Sequence, residues 1–228
     1  MNLQQKKRSR SVNSYKDPDA AIIELAANMP GERAGLLDVA KQSVDALNAA
    51  VLASDVGAAN VAVDHYEAAA WKLNNGTFFG YKQPSNPEAG GILAENHCRA
   101  TPGASPMWGQ CGEFLIEVSG ITAVVEVEDG ISRFSTCFIF QAVDPDGPFI
   151  SETGYRSKFE RFDFGRSVEE AAIATFTTIL TEGGRKMLLP EARESTMTEH
   201  APWLDASLAS VSRSAVFKEP GGQFAFGF

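Results

Sequence analysis

Residues 113–143 read EFLIEVSGITAVVEVEDGISRFSTCFIFQAV, and this stretch decides the fold. Ser119-Gly120 and Asp129-Gly130 sit between alternating apolar runs, as two-residue hairpin turns do. A two-residue turn pairs the residues flanking it. Across the first turn Val118 then faces Ile121, Ile116 faces Ala123 and Phe114 faces Val125. Across the second, Val125 faces Phe134, Ala123 faces Thr136 and Ile121 faces Phe138. One side of this three-stranded meander is almost wholly apolar. The other carries Glu113, Glu126 and Arg133 in one row, Leu115, Val124 and Ser135 in the next, then Glu117, Thr122 and Cys137. Glu113 opposite Glu126 is a like-charge pair that Arg133 offsets in this register, and the three together are a candidate cation or phosphate site. The plain alternative is a solvated sheet face with one cross-strand ion pair.

Working outward, Asp17-Pro18-Asp19 opens a helix with a capping acid and proline at the first helical position, and the helix stops before Pro30. From about Glu32 to Ala53, Leu37, Ala40, Val44, Leu47 and Val51 recur at three-four spacing. A partner helix, capped at Ser54 or Asp55, carries Ala59, Val63, Tyr66, Ala70 and Leu73 and ends at Asn75-Gly76. The abundant alanine in both lets them approach closely as an antiparallel hairpin. Thr77–Lys82 reads as a further strand. Residues 83–110, rich in Pro, Gly, Ser and Asn, read as a long loop anchored by Trp108, which as an exposed tryptophan would instead be a partner-binding candidate. On the other side, Ser167-Val168-Glu169-Glu170 is a capping box opening an amphipathic helix that runs to Gly183-Gly184 and packs on the Phe134/Phe138 face. A short helix is expected over Trp203–Val211, before an aromatic tail.

The expected fold class is α+β: an N-terminal helical hairpin, then a mostly antiparallel sheet of four or five strands with a C-terminal helix packed on it. The expected organisation is a basic disordered arm at 1–16, the helical hairpin region at 17–76, the sheet domain at 77–190, and a helix and flexible tail at 191–228.

With 228 residues, 44% hydrophobic and 21% charged, the composition is that of an ordinary globular protein. No apolar run approaches a membrane span and no apolar signal core follows the first basic residues, so the expected location is the cytoplasm, away from membranes. Three cysteines without a Cys-x-x-Cys pair fit a reducing compartment. His97, Cys98, Cys111 and His65 are the residues a zinc site could draw on, but close ligand pairs are missing, and buried thiols are the ordinary reading. No cofactor is expected.

The net charge of −9 is unevenly spread. Residues 1–16 hold Lys6, Lys7, Arg8, Arg10 and Lys16 with no acid, which leaves 15 basic residues against 29 acidic ones in the remainder. A basic arm on an acidic body suits an arm that touches nucleic acid, or a body that occupies a basic groove on a protein partner. The acidic body alone is poorly suited to duplex DNA, where affinity rests on neutralising phosphates.

Phe149–Phe159, FISETGYRSKF, packs hydroxyls, two cations, a tyrosine and a glycine between apolar anchors. Here Arg156 and Lys158 are candidates to hold an anionic group, Gly154 permits close backbone approach, and Ser151, Thr153 and Tyr155 can donate hydrogen bonds. Glu152 is the candidate acid or base. The alternative is turn chemistry at Ser151 and Thr153, with Tyr155 and Phe159 in the core. The run Pro148–Ser157, PFISETGYRS, resembles a segment in uncharacterised accessory proteins carried by bacterial plasmids and integrative elements. That resemblance implies an accessory role of the antirestriction, defence or transfer-control type, and assigns no catalytic residue. There is no Walker loop, Rossmann fingerprint, His-Glu-x-x-His or Gly-x-Ser-x-Gly. A non-enzymatic binding protein acting on a nucleic-acid-handling partner is therefore the leading expectation, and an enzyme or anionic-ligand domain with its site at Ser151–Lys158 the alternative.

Overall fold

A computed structural model describes residues 18–132, 134–196, 203–205 and 208. The expectations for the arm at 1–16, for most of the 203–211 helix and for the aromatic tail lie outside the described residues. Among the described residues four helices come first: α1 (Pro18–Ala27), α2 (Arg33–Leu52), α3 (Val56–Leu73) and α4 (Gly90–Cys98). There follow β1 (Gly112–Val118), β2 (Ile121–Ser132), β3 (Ser135–Ala142), β4 (Pro148–Phe149), β5 (Tyr155–Arg161), α5 (Val168–Gly183), β6 (Lys186–Met187) and α6 (Pro190–Thr196). The chain is α+β, as its patterning implies.

Helices α2 and α3 pair through small residues: Ala40, Ala59 and Ala69 are buried, with Val44, Leu47, Val51 and Tyr66 filling the seam. The Asp55 carboxylate caps α3 by accepting from the Ala58 N–H at 2.9 Å. At its other end Asn75 and Gly76 adopt positive φ and stop the helix. Lys72 ties α1 to α3, its ammonium donating to the Ala26 and Met29 carbonyls, both at 2.8 Å.

The main sheet has order β1-β2-β3-β5, antiparallel throughout. The first hairpin has the expected register, Val118 to Ile121 through Glu113 to Glu126. Ser119 and Gly120 both take positive φ at its turn, as a type I′ turn demands.

The second hairpin differs from expectation. Asp129-Gly130 is not a turn: β2 runs on to Ser132, which pairs with Ser135 of β3, and Val125 faces Phe140 rather than Phe134. Gly130 serves a different need, because a Cβ there would lie 2.8 Å from the Gly109 carbonyl oxygen and 3.2 Å from the Cys111 amide. The register moves by six residues relative to the expected one. An even shift leaves every side chain on its face, so Phe138 and Phe140 still join Val125 and Val127 inside. Glu126 instead faces Ile139 across the β2–β3 ladder. Arg133 lies outside the described residues.

Two further expectations are corrected. Thr77–Lys82 forms turns, not a strand, held by the Asn74 side chain donating to the Thr77 and Phe79 carbonyls at 2.7 and 3.2 Å. Within the stretch read as a loop lies α4, docked on α3 where a Cβ on Gly90 would collide with the Ala70 carbonyl and lie 2.5 Å from the Asn74 amide.

Helix α5 opens with the expected capping box: the Ser167 hydroxyl accepts from the Glu170 N–H at 3.2 Å and the Glu170 carboxylate accepts from the Ser167 N–H at 2.8 Å. Its one fully buried aromatic, Phe176, meets Phe140 and Phe149 edge-on at 5.3 and 5.9 Å. The helix thereby lies on the inner sheet face. Beyond it, β6 pairs with β4, and Arg185 donates to the Ser119 carbonyl of the first hairpin at 2.7 Å. A single buried cluster runs from α2 and α3 through the sheet to α5.

Candidate functional site

Backbone alternation sorts the candidate residues onto two sheet faces. Phe138 pairs with Lys158, Phe140 with Arg156 and Thr136 with Glu160, so Arg156, Lys158 and Glu160 share the inner side with the phenylalanines. Tyr155, Ser157 and Phe159 oppose Gln141, Ile139 and Cys137 on the outer side.

On the inner side a cleft of about 700 Å³ opens between β5 and α5. Arg156 and Lys158 line one wall, Thr175 and Thr178 the other, and Lys186 stands at the far end of α5. The cleft is of mixed charge, since Glu160, Asp163 and Glu182 also line it. Lys158 is 3.8 Å from Glu160. Its floor includes Phe138 and Ile150.

The segment before β5 is a built turn. The Ser151 and Thr153 hydroxyls lie 2.9 Å apart, the Thr153 N–H donates to the Ser151 hydroxyl at 3.3 Å, and the Thr153 hydroxyl donates to the Tyr155 carbonyl at 3.2 Å. Gly154 completes it at φ 68°. The exposed Glu152 is not among the cleft-lining residues, and its carbonyl accepts from the Leu189 N–H at 2.8 Å. Ser151, Glu152 and Thr153 therefore stand apart from Arg156 and Lys158.

Glu113 and Glu126 face each other on the outer side, three and two strands respectively from β5 at the cleft edge. Partial burial pushes the Glu126 carboxyl above its ordinary range, and Glu128 and then Glu113 push it further, while Arg99 draws it back. Arg99 itself is 3.9 Å from Glu95 of α4. Glu95, Arg99 and Glu128 join this acidic patch without having been singled out by the strand pattern. The signal for Glu95 and Arg99 was their four-residue spacing at a helix end; the signal for Thr175 and Thr178 was their three-residue spacing on α5.

Trp108 is 1% exposed. Its indole N–H donates to the Arg166 carbonyl at 2.7 Å and its ring lies against Phe162 at 4.6 Å, so it fastens the 99–110 segment to the start of α5. Cys98, Cys111 and Cys137 are buried and none is in a disulfide; burial pushes the Cys98 thiol up to about 11 and the Cys111 thiol to about 12. Among the described residues no cluster of three His, Cys, Asp or Glu side chains is placed to hold a metal ion. His65 Nδ1 is 2.8 Å from the Val61 carbonyl oxygen of its own helix. No helix of the described residues is long and apolar enough to cross a membrane.

Comparison with known proteins matches the chain in two parts. Residues 21–97, which hold most of α1, all of α2 and α3, and α4 up to its last residue, match a family model described as the KlcB N-terminal DNA-binding domain. Residues 111–202, β1 through α6, match the KlcB third domain. Two curated relatives from Escherichia coli, each called Protein KlcB, are 44% identical over 207 residues and 41% identical over 201. These alignments cover 90% and 88% of this chain but 44% and 49% of the relatives, so the chain spans less than half the length of the curated proteins it matches. No solved structure matches the chain.

Proposed function

We propose that this chain, which is similar to KlcB proteins over most of its length, is a KlcB-family, non-enzymatic accessory protein of a plasmid or related mobile element, acting in the cytoplasm. Its N-terminal region contacts DNA, and its acidic body engages a nucleic-acid-handling protein in an antirestriction, defence or transfer-control role. The observation that carries the DNA half is the match of residues 21–97 to a domain described as DNA-binding.

Charge placement supports a division of labour within that region. Residues 21–97 contain nine acidic and four basic residues. Three of the four cations are engaged within the chain. Arg33 meets Glu88 at 2.7 Å, Lys72 donates to two carbonyls, and Lys82 lies 3.4 Å from the Ile131 carbonyl oxygen and 6.0 Å above the Tyr81 ring. The positive charge needed against phosphate therefore comes from Lys6, Lys7, Arg8, Arg10 and Lys16, immediately before α1.

Fluorescence anisotropy with labelled duplex DNA across a salt series tests this. The full chain binds at low salt, and alanine at the five arm positions removes most of the affinity and flattens the slope of log K against log salt by up to about 4. Undiminished binding by the substituted chain, or no binding by the full chain at low salt, refutes the reading. Capture from bacterial lysate tests the acidic body, whose partner is lost as salt rises.

The second reading is an anionic ligand held in the β5–α5 cleft. It is supported by the placement of Arg156 and Lys158 on one wall and Lys186 at its end. Arg156→Ala tests it through ligand binding and thermal stability together.

A further inference from the structure

We propose that the outer edge of β5 is a self-association surface, at which two copies of this chain join their sheets antiparallel about a two-fold axis at Phe159. The sheet order leaves β1 and β5 as its edges. They are treated differently. The β1 end of the sheet is covered by the segment before it, whose Ala100 and Gly103 amides donate to the Cys111 and Glu113 carbonyls at 2.9 and 2.8 Å. Among the described residues no strand pairs with the outer edge of β5.

The direction of the free backbone groups follows from the pairing with β3. Hydrogen bonds from the Ala142 amide to the Gly154 carbonyl and from the Phe162 amide to the Phe134 carbonyl, both 2.8 Å, turn the even-numbered residues of this strand toward β3. In an antiparallel ladder the alternate residues then point outward: Tyr155, Ser157, Phe159 and Arg161. The Thr153 hydroxyl occupies the Tyr155 carbonyl at 3.2 Å. Ser157, Phe159 and Arg161 remain.

Nothing in the backbone blunts this edge. The register between β3 and β5 is unbroken from Ser135–Arg161 to Gln141–Tyr155, and the strand contains neither proline nor glycine. Phe159 is 72% exposed and Tyr155 49%. Charged side chains are the ordinary guard of such an edge, and β5 has four. Their order, however, is self-complementary.

With Phe159 opposite itself, Lys158 faces Glu160 of the second copy, and Glu160 faces Lys158. Ser157 faces Arg161 on each side, so the three outward residues supply all the hydrogen-bonded pairs. Centring the pair on Ser157 sets Arg156 against Lys158. Centring it on Lys158 sets that lysine against its own copy. Only the Phe159 register avoids a like-charge pair while using all three outward residues. Directly opposed residues share a face, so the two clefts lie on one side of a joined eight-stranded sheet, in the isologous arrangement of a two-fold dimer.

Sedimentation velocity of the full chain over a concentration series reads this directly. The unaltered chain forms a dimer. Lys158→Glu and Glu160→Lys each place like charges opposite one another twice and weaken the dimer by about tenfold or more. The double variant Lys158→Glu/Glu160→Lys restores it, which a register centred on Lys158, with Arg156 facing Glu160, would not do. Phe159→Cys closes a covalent dimer on mild oxidation, because opposed Cα atoms in a hydrogen-bonded antiparallel pair stand about 5.5 Å apart, within disulfide reach. Circular dichroism confirms that each variant is folded. An unaltered chain that stays monomeric up to about 0.5 mM, a dimer indifferent to either single reversal, or a double variant that remains monomeric overturns the proposal.

Discussion

Replacing Phe176 by alanine tests how α5 is held to the sheet. The fully buried residues of α5 are Val168, Ala171, Ala172 and Phe176, and Phe176 alone among them is large. Its ring is 0% exposed and wedged edge-on between Phe140 and Phe149. Truncating a buried phenylalanine costs about 3–5 kcal/mol, the lost transfer energy plus the cavity left behind. The upper half of that range is expected, because Phe140 sits in a central strand and β4 is fixed to β6, so neither neighbour can collapse into the space. For a chain of this size about 4 kcal/mol lowers the melting temperature by roughly 8–16 °C. Phe176→Leu, which keeps most of the volume, costs about 1.5 kcal/mol or less. Urea unfolding followed by circular dichroism gives the free energies. In a double-mutant cycle, Phe176→Ala and Phe140→Ala show a coupling of about 0.5–1.5 kcal/mol, the size of one aromatic pair. A cost near 1 kcal/mol for Phe176→Ala, or strict additivity with Phe140→Ala, would refute this account of the anchoring.

Further outcomes follow from the same geometry. Glu126 holds its proton more tightly folded than unfolded, so its contribution favours the folded chain below the ordinary value of 4.5 and is lost as pH rises through the raised one. Glu126→Gln is therefore more stable than the unaltered chain at neutral pH, with a difference that shrinks as pH falls toward 4.5; a less stable variant at pH 7 would contradict the burial argument. Gly90→Ala destabilises by about 1–3 kcal/mol, opposite in sign to the gain of roughly 0.5–1 kcal/mol that helix propensity alone gives, because the new methyl meets backbone of α3. A thermal melt decides the sign. Cys98 and Cys111, with thiols pushed up to about 11 and 12, label slowly with a thiol reagent at pH 8 in the folded chain and fully in urea; rapid labelling of either in the folded chain would count against their burial.

The two halves of the meander show where sequence speaks and where it falls silent. Ser119-Gly120 and Asp129-Gly130 carry the same local signal, yet only the first glycine is there for its positive φ. Gly130 is required by a backbone from elsewhere, the Gly109–Cys111 segment, and no local pattern records such an approach. The actual reversal places Phe134 at φ 62°, a conformation that bulky residues rarely adopt and that a reading of turn propensities passes over. The face assignment survived because the error was even. Helix α4 escaped for a similar reason: Gly90 and Gly91 resemble loop residues, but the docking of α4 on α3 and the turn at Tyr81 leaves no room for a larger side chain.

The candidate site was legible as chemistry but not as geometry. Arg156 and Lys158 share a wall because strand side chains alternate, a consequence available from the sequence once β5 is placed. The helix that completes the cleft arrives from the other side of a connection, and only the packing of Phe176 sets Thr175 and Thr178 across from the two cations. Ser151, Glu152 and Thr153 precede the bend at Gly154, where the strand period does not apply; the hydroxyls of that turn are spent on its own backbone and on each other. Glu113 and Glu126 are tied to the opposite face by the same alternation that brings Arg156 to the inner one. An acid–base pair formed between Glu126 and Arg156 would have to act through the sheet. A binding role therefore asks less of this arrangement than catalysis does: an acidic patch on the outer face and a mixed-charge cleft on the inner one can each contact a partner without converging on a reacting atom.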